Sequence, residues 1–115
     1  MTTPSIAIRH RVRDLNDAFR LTITTDAGRW FFTRGVLEKG PEFSAQAASV
    51  VKHFDAFTPD NDPYGEHDFG SFNLAGEHLF WKIDYYDRTM CSASPNPAEP
   101  SVTCRVLTVM LASEY

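Results

Sequence analysis

The chain alternates between two hydrophobic periods. Over residues 5–20, Ile8, Val12, Leu15 and Phe19 recur at spacings of four, three and four, which places one apolar stripe on a helix. Ser5, following Pro4, is suited to accept from the free N–H groups of a first turn. At Leu21 the period drops to two, with Leu21, Ile23 and Thr25 alternating with Thr22 and Thr24. Asp26-Ala27-Gly28 reads as a turn, and residues 29–36 are rich in aromatic and β-branched side chains, so 21–36 predicts a hairpin. The first strand of that pair could also prolong the helix or form a loop. Gly40-Pro41-Glu42 opens a second helix, because proline suits a first turn whose N–H groups have no partner. Its stripe is Phe43, Ala47, Val50, Val51 and Phe54, and it should end near Phe57, since Thr58 precedes Pro59.

Residues 58–68 are punctuated by Pro, Gly, Asn and Asp and predict a loop, long for a compact domain. Residues 69–74 and 78–86 then form the best-marked hairpin, with Ala75-Gly76 at the turn. In the return strand Leu79, Trp81, Ile83 and Tyr85 point one way, as the core face, and His78, Phe80, Lys82, Asp84 and Tyr86 point the other. Residues 88–100 hold three prolines and predict a loop. Residues 101–114 predict a final helix, with Val102, Val106, Val109 and Met110 as its stripe and Leu107 and Leu111 widening it. The expected class is α+β, in the order α-β-β-α-β-β-α. A small antiparallel sheet of two hairpins would carry about three helices on one face.

A length of 115 residues fits a single domain over 1–115, and 43% apolar residues suffice for a core without disulfide or metal staples. No apolar run approaches the roughly 20 residues of a membrane span. The start lacks the basic and apolar regions of a secretory signal. Cys91 and Cys104 form no CxxC and no four-ligand zinc pattern, so both are expected as reduced thiols in a cytoplasmic protein. The net charge of -4 is unevenly spread. Residues 1–40 hold seven basic and four acidic residues, residues 41–87 two and nine. The acidic middle disfavours a nucleic-acid groove there, and its charges are too sparse to imitate duplex DNA.

Two stretches resemble a known family. They are Phe57-Thr58-Pro59-Asp60-Asn61-Asp62-Pro63-Tyr64-Gly65-Glu66-His67-Asp68-Phe69-Gly70 and Phe80-Trp81-Lys82-Ile83-Asp84-Tyr85-Tyr86-Asp87. They are similar to a family of small proteins catalogued as domain of unknown function 3768. The likeness extends to Leu15-Asn16-Asp17, Thr33-Arg34-Gly35-Val36 and residues 105–115, while residues 21–26 and 30–32 depart from the pattern. Family members come largely from alphaproteobacteria, often on plasmids and other mobile DNA. The resemblance implies no activity and no catalytic or ligand-binding residue.

The candidate site is an acidic and aromatic patch: Tyr64, Glu66, His67 and Asp68 in the loop, with Asp84, Tyr86 and Asp87 on or after the return strand. Asp60 and Asp62 lie beside it. Tyrosines near carboxylates suit a protein interface, and the leading expectation is a small accessory or regulatory protein that binds another macromolecule. The mobile-DNA setting implied by the resemblance would make it an inhibitor of a host defence or plasmid-maintenance complex. The first alternative is a metal-dependent hydrolase using Glu66, His67 and Asp68 with Asp84 and Asp87, for which oxygen donors and one imidazole would suit Mg²⁺ or Mn²⁺. Against it, adjacent residues in extended chain point to opposite sides, and Asp62 and Asp68 capping turns, with His67 bonded to backbone, is the plainer account. The second alternative is nucleic-acid contact through Arg9, Arg11, Arg13 and Arg20 of the first helix, which could equally be a solvated face paired with Asp14 and Asp17. No GxSxG, phosphate loop or dinucleotide fingerprint occurs, so no cofactor and no nucleophilic catalysis are expected.

Overall fold

The computed structural model describes residues 5–22 and 26–115. The elements are α1 (Ile6–Leu21), β1 (Gly28–Phe32), α2 (Arg34–Glu38), α3 (Pro41–Lys52), β2 (Phe69–Leu74), β3 (Glu77–Tyr86) and β4 (Cys104–Leu111). Single 3-10 turns flank β4 at Pro100–Val102 and Ala112–Glu114. The four strands form one sheet in the order β1-β4-β3-β2. β4 pairs parallel with β1 and antiparallel with β3, and β2 pairs antiparallel with β3. The fold is α+β, with three helices and a mixed, mostly antiparallel sheet.

α1 begins where the sequence indicates, with the Ser5 side chain accepting from the Ile8 N–H at 3.2 Å. Its inner face is Val12, Asn16, Phe19 and Arg20, all buried, whereas Ile8 is 48% exposed. The helix runs through Leu21, so the expected strand at 21–25 does not start there, and residues 23–25 lie outside the described residues. The first hairpin is therefore corrected: β1 pairs with β4, about 80 residues further on, and stops at Phe32 because Thr33 starts α2. At Gly28 β4 leaves no room for a side chain: a Cβ would lie 1.9 Å from the Arg105 carbonyl oxygen.

α3 starts at Pro41 and ends at Lys52, five residues before the expected Phe57. Its end has a physical cause. Arg20 reaches across from α1 and donates to the carbonyls of Val51 (2.7 Å), in the last turn, and Phe54 (3.0 Å), just beyond it. Phe54 and Phe57 then turn inward, edge-on to the Trp81 ring at 5.6 and 6.2 Å.

The expected helix at 101–114 is the largest correction. The segment is the central strand β4, and Arg105, Val106, Leu107, Val109 and Met110 are all buried. A central strand with buried side chains on both faces reads as a continuous apolar run, which short-range periodicity cannot separate from a buried helix. The element order is thus α-β-α-α-β-β-β.

Phe19, Val36, Phe43, Ala47 and Val51 from the helices pack on Leu79, Trp81, Ile83, Leu107 and Val109 of the sheet. This face of β3 is the one the alternation assigned to the core. Gly70 leaves room for the core: a Cβ there would lie 2.3 Å from the Trp81 indole nitrogen. The other face carries His78, Phe80, Lys82, Asp84 and Tyr86 of β3. Beside them, by register, stand Val106, Thr108 and Met110 of β4, Arg29 and Phe31 of β1, and Phe69, Ser71 and Asn73 of β2. The core residues that the three helices supply all pack on the opposite face.

Candidate functional site

The residues of the predicted patch fall into four places. Loop 53–68 returns to α1, and a buried polar network forms at the seam. Asn16 is fully buried. Its amide nitrogen donates to the Tyr85 hydroxyl (2.8 Å) and the Glu66 carbonyl (3.0 Å), and its oxygen accepts from Arg105 Nε (2.7 Å). Arg105 also donates to the Pro97 carbonyl at 2.7 Å, so one guanidinium links three segments. His67 lies flat on Phe57, with centroids 3.8 Å apart and planes 4° apart, and Nδ1 is 2.9 Å from Asp17. Asp17 in turn accepts from Arg20 at 2.8 Å. The expected backbone partner of His67 is thus replaced by a carboxylate. Asp62 caps the loop as expected, accepting from the backbone N–H groups of Glu66 (3.1 Å) and His67 (3.3 Å).

Burial pushes the Glu66 carboxyl above the ordinary range, and the nearby charges of Asp68 and Asp62 push the same way against the Tyr85 hydroxyl. Asp68 is raised for the same first reason, with Asp62 and Asp84 adding. The Tyr85 hydroxyl is also held up, by burial first and then by Asp68. The seam therefore gathers acids that resist ionisation. Among the described residues, no three His, Cys, Asp or Glu side chains form a group that could hold a metal ion.

Tyr64, at 59% exposed, projects from the loop into a cleft of about 430 Å³ under α1. Arg9, His10 and Arg13 line the opposite wall. Of the four arginines considered for phosphate contact, Arg20 is buried and Arg11 donates to the Ala98 carbonyl at 2.6 Å.

Asp84 and Tyr86 stand on the helix-free sheet face. There, with Lys82, Val106, Thr108, Met110 and Tyr115, they line a shallow cleft of about 420 Å³. Lys82 pairs with Asp84 at 3.0 Å, a hydrogen bond that raises the Lys82 pKa. Val106 and Met110 form a buried floor, and Phe31 and Tyr115 remain 47% and 73% exposed. Phe69, Phe80 and Tyr115 pack together, with centroids 5.4 to 6.2 Å apart. Glu114 holds the 3-10 turn that carries Tyr115. It accepts from the Thr33 hydroxyl (2.6 Å) and from the N–H groups of Gly35 and Leu111 (2.9 Å each). Those bonds, led by Thr33, keep its carboxyl below the ordinary range. Asp87 joins neither surface; it caps its own turn, accepting from the Thr89 hydroxyl (2.7 Å) and the Cys91 N–H (3.2 Å).

Sequence reasoning missed Asn16, Arg105, Glu114 and Tyr115. Asn16 had a signal, since it sits four residues after Val12 and three before Phe19, within the buried stripe. The others depended on β4 being a strand.

Residues 32–114 match the model of the family described as Protein of unknown function (DUF3768). The chain belongs to this family. No curated protein and no solved structure matches it. The DUF3768 span contains every residue of the predicted patch, from Tyr64 to Asp87, whereas α1, which supplies Asn16 and Asp17, precedes it. No helix among the described residues is long and apolar enough to cross a membrane.

Proposed function

We propose that this chain is a binding module without catalytic chemistry of its own, and that it docks a partner protein on the helix-free face of its sheet. The observation carrying this reading is the cleft of Lys82, Asp84, Tyr86, Val106, Met110 and Tyr115, an apolar floor inside a polar and aromatic rim. Such a layout is the anatomy of protein interfaces, where tyrosines act as anchors and water is excluded around them. Because Lys82 and Asp84 neutralise each other, recognition rests on shape and apolar contact more than on charge steering. In a mobile-DNA setting the partner would be a host defence or plasmid-maintenance complex.

The test is affinity capture from host lysate with the parent and with an Asp84→Lys, Tyr86→Ala variant. A Tyr64→Ala variant, altered at the separate α1 cleft, serves as control. The reading predicts a protein retained by the parent and by Tyr64→Ala and lost by the double variant. Equal capture by all three excludes the sheet face.

A second reading rests on the α1 cleft, where Arg9, His10 and Arg13 face Tyr64. An anionic strand held there would bind with an affinity that falls steeply with salt, and Arg9→Ala, Arg13→Ala would flatten that slope.

A further inference from the structure

We infer that the chain forms a two-fold dimer by pairing β2 with β2 of a second copy, joining two four-stranded sheets edge to edge. The inference goes beyond the docking face and does not depend on it.

The hydrogen-bond parity of the hairpin exposes the edge. The Ile83 N–H donates to the Asp68 carbonyl at 2.8 Å. With the register Gly70↔Trp81 and Phe72↔Leu79, this makes Gly70, Phe72 and Leu74 the residues that bond inward to β3. Phe69, Ser71 and Asn73 then turn their N–H and C=O groups outward. Among the described residues none of these outward groups has a backbone partner, and Ser71 and Asn73 are exposed.

Sheet edges are normally blunted by lysine, proline, a bulge or an inward-pointing charge. The sequence of β2, FGSFNL, has no charge and no proline, and it pairs with β3 in unbroken register. The opposite edge strand, β1, carries Arg29.

The strand is also complementary to itself. A two-fold axis through Ser71 sets Ser71 opposite its own copy and Phe69 opposite Asn73 of the second copy, so every outward N–H and C=O of these residues finds a partner. The intervening pairs set Phe72 opposite Gly70 of the second copy, so no two bulky side chains meet there. No like charges meet across the axis. Self-pairing needs no strand beyond the chain's own, since each copy supplies both the donors and the acceptors of the other.

Sedimentation equilibrium of the full chain decides the matter, at micromolar to sub-millimolar concentration. The parent is expected at twice the 13.0 kDa chain mass. Ser71→Lys, which places a charge against its own copy, and Ser71→Pro, which deletes an outward N–H not used by β3, are each expected at the single-chain mass. In hydrogen exchange, the Phe69, Ser71 and Asn73 amides of the parent should gain protection as concentration rises, and those of Ser71→Lys should not. A monomeric parent across the range overturns the proposal, as does a Ser71→Lys variant that stays dimeric. If Ser71→Pro unfolds, Ser71→Lys alone carries the test. Asp84→Lys should leave the mass at the dimer value, which separates this contact from the docking face.

Discussion

His67 Nδ1 and the Asp17 carboxylate, fifty residues apart in sequence, lie 2.9 Å apart and fasten loop 53–68 to α1. The same carboxylate accepts from Arg20, whose guanidinium is nearly buried and caps the end of α3. One side chain thus holds three segments in place.

Asp17→Ala should therefore cost more than an ordinary half-exposed substitution. It removes an acceptor from Arg20 and, among the described residues, the only carboxylate within bonding distance of His67 Nδ1. A loss of about 2 kcal/mol is expected in urea unfolding, with Asp17→Asn, which keeps one acceptor oxygen, intermediate. A loss no larger than that of Asp14→Ala, whose partner Arg13 is at the surface, would show that the seam contributes nothing.

Asn16→Leu preserves volume but leaves Arg105 Nε and the Tyr85 hydroxyl without their buried partner. The expected destabilisation is roughly 2–4 kcal/mol, because an uncompensated buried charge costs far more than the net worth of the bond. Thermal unfolding followed by circular dichroism measures it. An unchanged midpoint would mean that water replaces the asparagine.

Acid should strengthen the seam before it weakens the rest. Glu66 and Asp68 are harder to ionise folded than unfolded, where their ordinary values are 4.5 and 3.8. Just above those values the folded chain holds more protons, so stability falls as pH rises through that window. Asp87, Glu99 and Glu114 are shifted the other way, and the stability they contribute is present above the ordinary range and lost as pH falls through their lowered values. A Glu66→Gln, Asp68→Asn variant should be more stable than the parent at neutral pH, with the gain fading toward about pH 4. A gain that is independent of pH would assign it to packing.

The β2–β3 turn holds a removable strain. Ala75 and Gly76 both have positive φ, +51° and +80°, the geometry of a two-residue turn that favours asparagine followed by glycine. Ala75→Asn should raise stability by about 1 kcal/mol, since an L-residue with only a Cβ gains nothing local in that conformation. Unfolding in urea at unchanged slope is the check, and a lower midpoint would refute the turn assignment.

Local chemistry made some of the fold legible. Ser5, Pro41 and the alternation of 78–86 each fix their element through nearest neighbours, and each reading holds. The misreadings concern residues whose structure is set from far away. Residues 104–111 form a strand because β1 and β3 flank them, and their apolar run carries no period to say so. α3 ends at Lys52, where Arg20 of α1 donates to the carbonyls of Val51 and Phe54, which no residue near Phe57 announces. The patch was half legible for the same reason. Asp84 and Tyr86 were assigned to the outer face by alternation alone, whereas Glu66 and His67 are drawn to α1 by Asn16 and Asp17.

The parallel pairing of β1 with β4 sets the order of strands against the order of synthesis. β1 is made first and β2–β3 next, and the hairpin can close by itself through its two-residue turn. The strand that belongs between them emerges after both. Until then, Trp30, Phe31 and Phe32 have no strand to lie against, and β3 presents its inner edge to the medium. A nascent chain halted before Cys104 would therefore expose two unfinished edges and need shielding from its neighbours. Completion of β4 would close both in one step, so the four-stranded sheet should be finished late in translation, by a single strand joining a hairpin already formed.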